Sequence, residues 1–280
     1  QRGYGDYYFN VWTERLLEFY RTAGRDDDAL TLLLQEGRVL AHAQRLLELK
    51  RADEAIQAAR KNLTTVSDCL SFAKALESKG RADDALDIAE QGLKDRQGFK
   101  DELYGWLAKR YQERGDQARA LELELTRYKE RPDEAQFKRV KKLATALNRW
   151  DAVRADLIAF LNKQQFARHF LVDIYLDEGD LDTAERIAKQ TYFSGNIRLK
   201  IAQAAEKVDP RRAIALYQGL ATGQIVGKNR SAYIQAVEYL QRVKKLYHKL
   251  GEDGAWDEYL AKLRNSYPTL RAFQEELGRL

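Results

Sequence analysis

The sequence contains one cysteine, three prolines and no methionine in 280 residues. With Cys69 alone, no intramolecular disulfide can form, and nothing calls for an oxidising compartment. The three histidines, His42, His169 and His248, lie far apart, and none has a convincing second ligand three or four residues away. No zinc site is expected from them. So few prolines favour uninterrupted helices over loops and sheets. No apolar run approaches the ~18 residues of a membrane span, and residues 1–10 are polar and aromatic, without the apolar core of a leader. The chain is expected to be soluble and cytoplasmic, with no membrane partner. Without an initiator methionine the chain is expected to be processed, trimmed or incomplete. Methionine is also absent from the interior, where a Leu-rich helical core normally uses it as a gap filler.

What is present is helix-forming. Leu, Ala, Glu, Lys, Arg and Gln dominate. Hydrophobic residues make up 44% of the chain and charged residues 32%, enough apolar material for a long core and too much for disorder. The 48 basic and 43 acidic residues leave a net charge of +5. That balance permits an acidic partner without demanding one, since dedicated nucleic-acid binders concentrate positive charge more heavily.

An internal repeat organises the sequence. A turn residue, a polar stretch rich in Asp and Arg, an alanine and an aliphatic residue recur in order. The motif begins at Gly24, Lys50, Gly80, Gly115, Leu147, Gly179 and Val208, and its alanines fall at 29, 55, 85, 120, 152, 184 and 213. A weaker copy runs from Gly251 to Trp256, where the register is expected to slip by one. The spacings of 26 to 35 residues match the ~34-residue period of a two-helix repeat. Glycine supplies the left-handed residue that ends one helix, Asp caps the next and suits its positive end, and alanine allows two helices to cross closely. Four residues before the turn stands a large residue: Tyr20, Tyr111, Tyr175 and Tyr247, or Leu46, Leu76 and Leu143. That spacing lies on one helix face.

First helices are therefore expected near 5–23, 38–50, 64–79, 100–114, 134–147, 165–178, 196–208 and 231–250. Second helices are expected near 27–35, 52–62, 82–93, 117–130, 150–162, 181–192, 211–220 and 255–266. Pro132 and Pro210 fall at first-turn positions, where a missing N–H costs nothing. Pro268 precedes a terminal capping helix near 269–279. The expected fold is an all-α solenoid of about eight tetratricopeptide-like (TPR-like) helix-turn-helix repeats with a C-terminal cap, one domain over 1–280 with a looser break at 221–230.

Toward the C-terminus, Gly227-Lys-Asn-Arg230-Ser-Ala-Tyr233, Ala236 to Leu240, Arg242 to Tyr247, Leu250-Gly251, Trp256, Tyr259-Leu260 and Leu263-Arg264 resemble the tail of bacterial SWIM zinc-finger family proteins. The turns at Gly24 to Ala29 and Tyr175 to Asp180 fit the same helical region. The resemblance is best over about 228–264. That family carries a Cys-x-Cys and Cys-x-His zinc motif upstream of its helices. Cys69 alone cannot supply it, so no zinc ligand is carried over. The resemblance implies a helical interaction region separated from its finger, or a relative that never had one, acting on protein or DNA.

Signals for chemistry are few. Asp26-Asp27-Asp28 lacks the alternating ligands, central Gly and distal Glu of a calcium loop and reads as helix capping. Gly227 to Ser231 is weakly similar to a phosphate loop but lacks the first glycine and a preceding strand. It reads as a helix start, with an anion at the helix N-terminus as the functional alternative. Cys69 sits on an apolar helix face, where free cysteines act as small hydrophobes. No catalytic residue, metal, cofactor or small-molecule substrate is expected, and the chain reads as a non-enzyme.

The preferred function is a scaffold that holds a protein or peptide in a concave groove lined by first helices. The polar groove positions are Arg15, Arg45, Lys74, Lys109, Arg139, Arg168 and Arg198. The alternative is a nucleic-acid accessory module. It would use Lys138, Lys141 and Lys142 within a basic stretch at 127–142, and Lys228, Arg230, Arg242, Lys244 and Lys245 within 228–249. Tyr4, Tyr7, Tyr8, Phe9 and Trp12 form an aromatic opening, either a docking patch or the core of a first hairpin.

Overall fold

A computed structural model describes residues 4–164, 167–190 and 194–280, with side chains from Val11 onward and, in the last stretch, from Asn196. The described residues form seventeen α-helices and one 3-10 turn, with no strand. By compactness the chain divides into two units, residues 1–131 and 132–280.

Unit 1 holds four hairpins: α1 (Tyr4–Thr22) with α2 (Asp26–Gln35), α3 (Val39–Glu48) with α4 (Ala52–Asn62), α5 (Val66–Ser78) with α6 (Ala82–Asp95), and α7 (Asp101–Glu113) with α8 (Gln117–Glu130). Unit 2 continues with α9 (Glu134–Ala146) and α10 (Trp150–Lys163). After a 3-10 turn (Arg168–Phe170) come α11 (Leu171–Asp177) and α12 (Leu181–Lys189), then α13 (Ser194–Val208) and α14 (Pro210–Ile225). α15 (Arg230–Leu250), α16 (Asp253–Ser266) and α17 (Arg271–Leu277) complete it. In unit 1, α3 packs on α5, α5 on α7 and α4 on α6, so successive hairpins lie side by side. In unit 2, α10 meets α11, α12 meets α13 and α11 meets α13 in the same manner. The fold is the expected all-α, TPR-like helical repeat.

The turn chemistry explains the motif. Gly24, Gly80, Gly115, Gly179 and Gly251 all take the left-handed conformation, with φ between 67° and 83°. The next residue then donates its N–H to the carbonyl five residues back: Arg25 to Tyr20 at 2.8 Å, Asp116 to Tyr111 at 2.9 Å, Asp180 to Tyr175 at 2.8 Å and Glu252 to Tyr247 at 3.0 Å. The recurrent tyrosine is thus the residue whose carbonyl closes the turn. Lys50 does the work of glycine at φ 62°, and its Arg51 donates to Leu46 at 2.9 Å. Gly37, at φ 67°, makes an equivalent turn between α2 and α3 that the repeat motif does not mark. Five residues after the turn, Ala29, Ala55, Ala85, Ala120 and Ala184 are all buried, as the close crossing requires.

Two registers differ from expectation. At the fifth repeat the left-handed residue is Asn148, not Leu147, and Arg149 donates to Ala144 at 2.8 Å. Val153 then takes the buried place while Ala152 is exposed. Asn reaches the left-handed region more readily than Leu, which decides the shift. At the last repeat the register does not slip. Trp256 stands five residues after Gly251 and is buried in the alanine's place, while Ala255 is exposed.

Capping also differs along the chain. Asp116, Asp180 and Asp209 cap their helices, accepting from the N–H of Arg119, Thr183 and Arg212 at 3.0, 2.9 and 3.1 Å. At α2, α4 and α6 the cap position is an arginine that makes no side-chain cap bond. There the acids of the first turn suit the positive helix end without capping it. Pro210 opens α14 as expected, whereas Pro132 stands one residue before the cap Asp133, outside the helix. Residues 221–225, expected to belong to a looser break, complete α14. A turn over 226–229 leads to α15, and α14 with α15 is the most extensively packed pair of the unit. The division found lies at 131/132. α15 packs on α14 more than on α16, and α17 covers it with buried Phe273 and Leu277.

Candidate functional site

The charged positions of the repeat tie hairpins together. In unit 1 the turn arginines reach back one hairpin: Arg51 to Asp27 at 2.8 Å and Arg81 to Asp53 at 3.0 Å. Each also holds an acid of its own helix, Glu54 at 2.7 Å and Asp84 at 2.6 Å. In unit 2, Arg212 holds Asp182 at 2.8 Å and Glu185 at 2.6 Å. Exposed pairs of this kind each contribute roughly 0–1 kcal/mol, so they fix the stacking register more than they stabilise it. A half-buried exception is Arg127, which donates to both oxygens of Asp101 at 2.7 Å beside buried Glu124.

The seven expected groove residues fall four in unit 1 and three in unit 2. Arg45 is mostly buried and pairs with Asp26 at 2.5 Å and Glu48 at 2.7 Å. Lys74 bridges to Glu102 on the next hairpin at 2.9 Å, and exposed Lys109 lies 3.9 Å from Glu113. Arg15 stacks over the Trp12 ring at 5.5 Å, beside exposed Leu16 and Phe19. Arg139 is exposed on α9, and Arg168 lies half-buried in the 3-10 turn. Arg198 edges a shallow cavity of about 270 Å3 between α12, α13 and α14. Of the aromatic opening, Trp12 is exposed; the side chains of Tyr4, Tyr7, Tyr8 and Phe9 lie outside the described residues.

Four of the eight basic-cluster residues are matched by acids. Lys138 bonds Glu134 at 2.7 Å, Lys141 pairs with Asp177 and sits over the Trp150 ring, and Arg242 lies 3.6 Å from Glu206. Arg230 reaches buried Glu276 at 3.2 Å, and Lys244 donates to the Leu280 carbonyl. Lys142, Lys228 and Lys245 are exposed. The α15 N-terminus is capped by Asn229, whose Oδ1 accepts from the Ala232 N–H at 2.9 Å.

What unit 2 does assemble is a cleft of about 360 Å3 across three successive first helices. Glu134, Phe137 and Lys138 come from α9, Asp173, Leu176 and Asp177 from α11, and Lys200 and Gln203 from α13. Its centre is an ion cluster. Lys200 Nζ donates to Glu134 Oε2 at 2.8 Å and to Asp173 Oδ1 at 3.0 Å, while Lys138 takes Glu134 Oε1. With a lysine on each oxygen, Glu134 titrates well below the usual carboxylate range, at about 2. Asp173 behaves oppositely: its side chain is only 9% exposed, and burial raises its pKa despite Lys200. Lys200 is raised by its two carboxylates against the opposing effect of burial. Of these residues, the sequence reading had singled out Lys138 alone. One signal for Asp173 was present: it stands between Val172 and Ile174, both buried, in a seven-residue helix, so its carboxylate is carried next to the core.

Comparisons with known proteins leave the family open. No known family profile matches the chain. A 69-residue stretch is 39% identical to the uncharacterized protein YwqB of Bacillus subtilis, covering 25% of this chain and 13% of that protein. The chain therefore spans about an eighth of the length of the curated relative it matches. The C-terminal part of a TPR repeat-containing protein from Cytophaga hutchinsonii aligns over 94% of this chain and 98% of its own, at 15% identity and a TM-score of 0.31.

Proposed function

We propose that the chain is a non-catalytic helical-repeat scaffold, and that its unit 2 cleft holds a peptide or helical segment of a protein partner. The observation behind this reading is the convergence of α9, α11 and α13 on one open cleft, with an apolar floor of Phe137 and Leu176 and an ordered set of charges around it. Successive first helices of a repeat array are spaced to read successive residues of a bound segment. The same reading takes the chain as one 1–280 domain, the interaction region of a larger SWIM zinc-finger-type protein in the cytoplasm, without cofactor. The resemblance of 228–264 to that family supports this setting. Nucleic acid has less behind it, because Lys138, Lys141, Arg230 and Arg242 are held by carboxylates and offer little unmatched charge to phosphates.

The test is affinity capture with the immobilised chain followed by mass spectrometry. A partner recovered by the wild type is expected to be lost with Lys138→Glu and with Gln203→Trp, which alters the exposed cleft wall. It is also expected to weaken on charge reversal at Arg139 and Arg168. Capture unchanged by all four contradicts the reading. Binding to duplex DNA that falls steeply with added salt would favour the nucleic-acid role instead.

A further inference from the structure

Within the cleft, the charges are not equally satisfied. Glu134 has a lysine on each oxygen, and Asp177 is held from the rim by Lys141. Asp173 is different. Lys200 takes its Oδ1, and among the described residues no other hydrogen bond or ion pair reaches the carboxylate; Oδ2 is the oxygen that remains open to solvent on a side chain otherwise only 9% exposed. A carboxylate oxygen that meets solvent only through a narrow opening is less fully hydrated than one on the surface. Water from the open side satisfies it weakly, and a cationic donor satisfies it best. Lys200 cannot serve both oxygens, because it is shared with Glu134. The surroundings fit the rest of such a donor. Phe137 and Leu176 also line the cleft and offer apolar surface for an alkyl stem, and Gln203 offers an amide at the edge. The two lysines in the lining are both engaged by Glu134, so they present little free positive charge to repel a cation.

Taking the cleft as the partner site, we propose that it recognises a basic side chain, arginine above lysine, whose head group donates to Asp173 Oδ2 while its stem lies against Phe137 and Leu176. Arginine is favoured because its planar fork reaches a carboxylate oxygen and still leaves donors for Gln203 or water, where an ammonium is a single point charge. The partner is therefore a segment with an arginine flanked by apolar residues. An acidic segment would instead have to draw Lys138 or Lys200 away from Glu134.

The experiment uses the full chain and three fluorescein-labelled peptides, Ala-Leu-Arg-Leu-Ala and its citrulline and glutamate analogues, read by fluorescence anisotropy and amide NMR shifts. Citrulline keeps the shape of arginine and removes the charge. The arginine peptide is expected to bind at least about tenfold tighter than the citrulline peptide, the scale of one charge-assisted hydrogen bond. Shifts are expected over 134–138, 173–177 and 200–203. Asp173→Asn is expected to remove the difference between the two peptides, while Asp87→Asn in unit 1 leaves it unchanged. Equal binding of the arginine and citrulline peptides, preference for the glutamate peptide, or an arginine preference that survives Asp173→Asn overturns the proposal. If Asp173→Asn proves unfolded by circular dichroism, the citrulline comparison and the shift map on the wild type decide. A wild type that loses its captured partner with Lys138→Glu, yet shows no arginine preference, removes this inference and leaves the scaffold reading standing. Capture indifferent to the cleft variants removes both.

Discussion

The two units use the same hairpin and spend its charges differently. In unit 1, turn arginines face acids across the hairpin boundary, Arg51 with Asp27 and Arg81 with Asp53, and the first helices add Lys74 with Glu102 and Arg110 with Glu77. Arg51 and Arg81 each also hold an acid of their own helix, but among the described residues none of the four acids Asp27, Asp53, Glu102 and Glu77 is shared with a second cation, and the charges hold the stack. In unit 2, one lysine is divided between two acids and one acid between two lysines, and Asp173 is left half-satisfied beside an open cleft. A repeat can therefore lock its register with charge or leave part of that charge facing an open cleft. The helix pattern is the same in both cases.

The largest expected effect breaks the unit 1 side of the comparison. Arg127→Leu removes the guanidinium from half-buried Asp101 and from beside buried Glu124, and a loss of up to about 3 kcal/mol is expected, the lower end of the range for a buried pair deprived of one member. Chemical denaturation measures it. Glycines give the next contrast. A Cβ at Gly92 would lie 2.8 Å from the Cys69 Cβ and 3.1 Å from Leu103, so Gly92→Ala is expected to cost about 1–3 kcal/mol by overpacking. Gly219 in α14 meets nothing within 4 Å, and Gly219→Ala is expected to stabilise by about 0.5–1 kcal/mol through helix propensity. Melting curves of the two variants should move in opposite directions. Arg81→Ala, which removes one rung of the exposed ladder, is expected to have the smallest effect, a melting temperature nearly that of the wild type.

Titration sharpens the unit 2 side. Glu134 is held at about 2, below its ordinary value, so its contribution is present above that ordinary value and is lost as the pH falls toward 2. Asp173 is raised by burial, so its ionised form opposes folding and acidification through its folded value relieves that cost. Two carboxylates on one lysine thus act in opposite senses on acidification. Side-chain carboxyl NMR should show Glu134 titrating well below Asp173. Coincident midpoints would mean that the cluster is not formed.

Much of the fold was legible because turns are local. Tyr20, Gly24 and Asp28 carry their own geometry within one or two helical turns, and the bounds of α4 and α8 follow from such motifs. The misplacement at Leu147 came from following the alanine, when the backbone followed Asn148. Trp256 was misjudged because the crossing it fills tolerates a large residue in the last repeat. The cleft was far less legible. Lys200 meets Glu134 across 66 positions of sequence, and only the rotation and stacking of three helices bring them together. Periodicity shows which face of a helix is buried, not which charged side chain of one hairpin meets that of another. Arg45 was read as a polar position of a first helix, and its partner Asp26 stands on the preceding hairpin, beyond the reach of local periodicity.

The most direct measurement places the photoreactive residue benzoylphenylalanine at Lys138, on the cleft, or at Arg211, an exposed position at the start of α14. The account predicts that a partner crosslinks from position 138 and not from 211. Crosslinks from 211 with none from 138 would contradict it.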